Sequence, residues 1–157
     1  MRYSYKLAAA LALTAAVAVP AAPAAQAATA ASSCRVEFHD LDAIEVAESD
    51  GKDEIRVRLL PYLYPAGWVN MRAGDDADPA DFNIPDITIS GNTIKSYSLR
   101  EVTPPLVGAG VELGEVEVYG GTCGTLDRGE VYTYTKNIVG TYEESFWYVM
   151  KVRMTGL

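Results

Sequence analysis

Histidine and cysteine are scarce here: His39 stands alone, and Cys34 and Cys123 are the only cysteines. The lack of histidine removes the usual general base near neutral pH. His39 sits in the strand-like stretch "VEFHDL" beside Asp40, and neighbours along a strand point to opposite faces, so these two do not orient each other. It reads as a structural or surface histidine. No GxSxG elbow frames a serine, and there is no phosphate-cradling glycine loop, dinucleotide fingerprint or zinc spacing. Carboxylate pairs of the glycosidase kind remain open in any acidic chain, but the domain is small for a hydrolase with a deep cleft. Catalysis is not expected. Basic residues are also few, 13 against 21 acidic ones, for a formal charge of −8. Such a surface repels phosphate backbones, which excludes nucleic acid as a partner. It gains nothing from an anionic leaflet unless a divalent cation bridges the two.

What is present begins with "MRYSYKLAAALALTAAVAVPAAPAAQA". Arg2 and Lys6 precede an apolar run from Leu7 to Val19, and small residues follow at Ala25 and Ala27. This reads as a secretory signal over residues 1–27, with Ala28-Thr29-Ala30 as a second cleavage site. The run is shorter than the roughly 20 residues a bilayer crossing needs. No further apolar run follows and no lipobox-like cysteine sits at the cleavage site, so a released, extracellular product without an integral membrane segment is expected. In an oxidising compartment, two cysteines most simply form one disulfide. Residues 28–34 are expected as a loose N-terminal segment, and 35–157 as one domain large enough to bury a core.

That domain shows no sustained helical period. "DEIRVRLL" places Ile55, Val57 and Leu59 on one face and Arg56 and Arg58 on the other, the alternation of a half-buried strand. "VELGEVEVYGG", "EVYTYTK" and "SFWYVMKVRM" behave likewise, the last with Phe146, Tyr148, Met150, Val152 and Met154 on one side. "RVEFHDLDAIEVAE" reads as one long strand or two short ones, and "GWVNMRA" as another. "ITISGNTIKSYSL" holds two β-branched runs around Ser90-Gly91-Asn92 and predicts a hairpin. Residues 72–86 predict a long surface loop. About eight strands, with turn signals roughly every ten residues, predict an all-β fold: a single antiparallel β-sandwich, C2-like or immunoglobulin-like, with one disulfide.

Chemistry concentrates in two acidic loops. "ESDGKDE" supplies Glu48, Asp50, Asp53 and Glu54; the second loop supplies Asp75, Asp76, Asp78 and Asp81. Calcium takes carboxylate and carbonyl oxygens held on loops, so Asp50, Asp53, Asp75, Asp76 and Asp78 are candidate Ca2+ ligands if folding brings the loops together. Neither loop has EF-hand spacing. The competing reading is turn chemistry, in which Asp and Gly supply the conformations a tight connection needs.

The succession of a strand, "ESDGKDEIRVRL", a Gly-containing loop, "ISGNTIKSYSLREV" and "GVELGEVEV" resembles the C2-like β-sandwich modules of small secreted actinobacterial proteins. The likeness covers about residues 36–118. It implies an eight-stranded sandwich with loops at one end, where Asp50 and Asp53 match one calcium loop and Asp75, Asp76 and Asp78 an opposed one. The later aspartate pair of calcium-dependent C2 domains is absent, since residues 102–110 read "VTPPLVGAG".

These features predict a secreted, non-enzymatic binding or interaction module for an extracellular protein or surface ligand; nothing in the pattern specifies an oligomer. The alternative is a protease inhibitor presenting a rigid loop, its affinity coming from preorganisation. Leu126 and Arg128 near Cys123 supply one such loop, and Pro104, Pro105 and Leu106 another.

Overall fold

The computed structural model describes residues 29–105 and 108–157, so the stretch expected to be a secretory signal and Leu106 lie outside the described residues. In chain order the elements are β1 (Ser33–Glu45), β2 (Asp53–Leu59), β3 (Tyr62–Met71), β4 (Asp76–Ala77), α1 (Pro79–Phe82), β5 (Ile87–Ser90), β6 (Ile94–Glu101), β7 (Val111–Tyr119), a 3₁₀ turn (Gly120–Thr125), β8 (Val131–Thr141) and β9 (Ser145–Gly156). They form two antiparallel sheets packed face to face. One runs β4–β1–β9–β8, with β5 also on β1; the other runs β3–β2–β6–β7. The fold is an all-β sandwich with one disulfide, as the alternation implies.

Period-two spacing fills the space between the sheets. Phe146, Tyr148, Met150, Val152 and Met154 of β9 are all buried, and so are Ile55, Val57, Leu59, Val116 and Val118 from the other sheet. Each such side chain contributes roughly 1.5–3 kcal/mol on leaving water. Among the described residues no helix is long and apolar enough to cross a membrane.

Four expectations change. Ser90-Gly91-Asn92 does make a tight turn, with the Thr93 N–H donating to Ser90 O at 3.1 Å. It is no hairpin, however, because β5 pairs with β1 and β6 with β2 and β7. Turn residues set a reversal but not the partner, and the edge of β1 draws β5 into the opposite sheet. Residues 72–86 are more than a surface loop: they contain β4 and α1, whose Phe82 is buried edge-on against Phe38 at a centroid distance of 5.0 Å. Residues 30–34 are tied down, with Ala30 bridged to Asp127, Ala31 N–H donating to Leu126 O at 2.8 Å, and β1 starting at Ser33. Arg56 faces away from the core as expected, yet it is only 6% exposed. Its guanidinium donates to Pro65 O, where β3 bulges, at 2.9 Å and to Gly108 O at 3.2 Å.

The strand pairings separate two poles. Connections 46–52, 72–75 and 142–144 and the two ends of the 102–110 connection gather at one end, because Glu45 lies opposite Trp147, Asp53 opposite Met71, and Glu101 opposite both Ile55 and Val111. At the other end Cys34 and Cys123 form the expected disulfide, with Cα atoms 5.5 Å apart and a sequence separation of 89.

Candidate functional site

The acidic loops share the first pole, but most of their carboxylates are engaged locally. In "ESDGKDE" the Gly51 N–H donates to Glu48 O at 3.1 Å, and Asp50 Oδ1 accepts the Lys52 N–H at 2.9 Å. Gly51 has φ +79°, the left-handed backbone that glycine adopts without strain. This stretch is a turn closed by its own aspartate. Asp53 is no loop residue: it starts β2 and is 0% exposed. Its Oδ2 accepts the Ala47 N–H at 2.7 Å and the Tyr148 hydroxyl, while Oδ1 accepts the Glu48 N–H at 2.8 Å. It is the anchor that fastens the 46–52 loop to the core.

The second loop divides in the same way. Asp75 Oδ2 accepts the Arg72 N–H at 2.8 Å. Asp78 caps α1, and its own N–H donates to Asp81 Oδ2 at 2.9 Å. Asp76 alone of the five expected ligands joins a carboxylate cluster, with Asp40 and Asp42 of β1. That grouping arises from a bulge. The β1–β9 register steps from Phe38↔Val152 to Asp40↔Lys151, leaving His39 as the extra residue. Lys151 binds both β1 aspartates, reaching Asp42 Oδ2 at 2.9 Å. Its ammonium pKa is pushed up by the bond to Asp40 and then that to Asp42. Burial is the largest influence on the Asp40 carboxyl and raises it, but the bonds to Lys151 and Asp76 and the Lys151 charge together turn the net shift downward; the bond with Asp40 raises Asp76. This cluster carries its own cation.

The second cluster has a different chemistry. Oxygens of Glu48, Glu54 and Glu101 lie within 4.8 Å of one another. Glu101 ends β6 opposite Ile55, beside Glu54, and continues the buried row of Tyr97 and Leu99. It is 0% exposed, and no donor group among the described residues reaches either of its oxygens, the Glu48 carboxyl alone lying within hydrogen-bonding reach. Burial, then the Glu48 carboxyl beside it, push its pKa up to about 8. Burial also raises Glu48. Glu54 is paired through Oε1 with Lys52. Reading the sequence as acidic loops included Glu48 and Glu54 but missed Glu101, which lies outside both loops. Its signal was an acid at the inward position of the alternating run Tyr97, Leu99, Glu101.

The segments expected as inhibitory loops are placed as follows. Leu126 is 5% exposed, and its carbonyl is held by Ala31, so it serves the core. Arg128 is exposed in a turn where Glu130 N–H donates to Asp127 O at 3.0 Å. Pro104 is half-buried and Pro105 exposed. The connection that carries them is strapped to the sheet by Arg100, which donates to Ala109 O and, at 2.8 Å, to Gly110 O. One surface groove, of about 280 Å³, is bounded by Glu115, Glu117, Tyr134 and Lys136.

No protein-family model matches the sequence, and no characterised protein matches it either. Among solved structures, the chain is similar to C2 domain A of plant extended synaptotagmin 1, at a TM-score of 0.46 and 9% identity over 81% of this chain and 96% of that one. It is also similar to the paired C2 domains, A and B, of extended synaptotagmin 2, at a TM-score of 0.46 and 9% identity over 94% of this chain and 48% of that one.

Proposed function

We propose that this chain is an extracellular binding module, without catalysis of its own, which holds calcium at its acidic pole and meets a protein or surface ligand there. One observation carries the reading: the pole gathers the chain's acidic connections, and among its carboxyls is Glu101, fully buried and lacking any donor among the described residues. Calcium is a hard cation that takes such oxygens. The Ala-rich leader, of the kind seen in high-GC Gram-positive bacteria, and the disulfide support an exported, oxidised protein. His39, the extra residue of the β1 bulge, is read as a structural or surface histidine, in keeping with the non-catalytic half.

Two measurements test the reading. Expression of the full chain in an exporting host, with N-terminal sequencing of the product, is expected to yield a protein in the medium that starts after Ala27 or Ala30. Calorimetric titration of that product with calcium chloride is expected to show saturable binding at micromolar to millimolar calcium. Retention in the cytoplasm would end the extracellular reading, and a flat titration would end the calcium reading.

A further inference from the structure

We propose that calcium is held by the inner glutamates Glu48, Glu54 and Glu101, and not by the exposed aspartates of the pole. This rests on the reading above that the pole binds calcium, and it assigns the ligands. The spacing permits it: the three oxygens all lie within 4.8 Å of one another, inside the reach of ligands around one ion at a calcium–oxygen distance of roughly 2.3–2.6 Å. Magnesium, at about 2.0–2.1 Å, asks for a tighter octahedron.

Glu101 supplies the independent pointer. Interior polar atoms almost always have partners, yet no donor group among the described residues reaches the oxygens of this buried side chain, which meet only the Glu48 carboxyl of the same cluster. A cation provides what the absent donors do not. The Asp40–Asp42–Asp76 cluster lacks this feature, because Lys151 already sits against two of its members. Lys52 engages the inner cluster only through Glu54 Oε1, from a partly exposed position. The frame also suits a metal. Glu54 and Glu101 come from hydrogen-bonded neighbouring strands, while half-buried Glu48 arrives on a loop whose backbone Asp53 holds in place. Two ligands are rigid, and the third is the means of entry.

The test uses the exported protein with calcium, magnesium and terbium chlorides, read by melting temperature and by terbium luminescence excited through tyrosine. Tyr148, bonded to Asp53, stands near the cluster as the sensitiser. Wild type is expected to melt about 3 °C or more higher in millimolar calcium, with a smaller response to magnesium. Its terbium emission is expected to be displaced by calcium. Glu101→Gln should abolish both signals, Glu54→Gln should weaken binding about tenfold or more, and Asp76→Asn should respond like wild type. Should Glu101→Gln and Glu54→Gln both respond like wild type, this assignment falls while calcium binding at the pole stands. No response from wild type would overturn both. If Glu101→Gln fails to fold by circular dichroism, Glu54→Gln and Glu48→Gln decide the question in its place.

Discussion

Three donors converge on the buried carboxylate of Asp53: two backbone N–H groups and the Tyr148 hydroxyl. Removing it leaves them unpaired in the interior, so Asp53→Ala is expected to lower stability by roughly 3 kcal/mol in urea unfolding. Asp50→Ala, in the exposed turn, is expected to cost less than about 1 kcal/mol. Glu101 makes the opposite kind of site, a buried acid without donors. Its folded pKa of about 8 lies above the ordinary 4.5. From pH 4.5 to 8 the unfolded chain therefore releases a proton that the folded one keeps, and stability drops as pH rises through this window. In EDTA, thermal melts are expected to show this contribution, with a slope of at most about 1.4 kcal/mol per pH unit. Glu101→Gln should flatten it; an unchanged slope in that variant would remove Glu101 as the source. Composition could not reveal this difference between Asp53 and Glu101, because whether an acid meets donors is decided by which chain segments fold over it.

Among the elements, the 102–110 connection is strapped down over its described residues 108–110. Arg56 and Arg100 bind three of its carbonyls, and Gly110 sits at φ +66° where a Cβ would come within 2.0 Å of Glu101 O. No shift of a flexible side chain relieves a clash with backbone. Gly110→Ala is thus expected to lift the connection from the sheet, with faster amide exchange at residues 108–112 and a stability loss on the order of 2 kcal/mol or more. Normal exchange there would show that the strapping does not matter. The strands were legible before this connection was. β9 alternates cleanly because one face lies in the core, as does the Val116–Val118 end of β7; in β2 the inward Ile55, Val57 and Leu59 are buried, but so are Glu54 and Arg56. Partnership was not legible, as β5 and β6 show: Ser90-Gly91-Asn92 fixes a turn and says nothing about which sheet edge is free. The bulge at His39 was hidden too, since a parity change in β1 depends on pairing with β9. Nor could alternation tell that Arg56 would be covered, because its cover comes from residues distant in sequence.

At the scale of the whole molecule, one covalent link closes a separation of 89 residues at the pole opposite the acidic loops. In the chain-entropy account such a closure stabilises by about 4–5 kcal/mol. Replacing both Cys34 and Cys123 by alanine is expected to lower the melting temperature by roughly 10 °C or more. Calcium affinity should be retained in the folded fraction, since the loops at the far pole do not depend on the link. Loss of affinity in folded protein would show that the poles are coupled. The chain's described ends also meet at the linked pole: Ala31 is bonded to Leu126, and the Leu157 N–H donates to Ser33 O at 2.9 Å. A dye, bead or surface attached at Leu157 would therefore hold the molecule by its sealed base, leaving the carboxylate-bearing crown standing free toward whatever approaches.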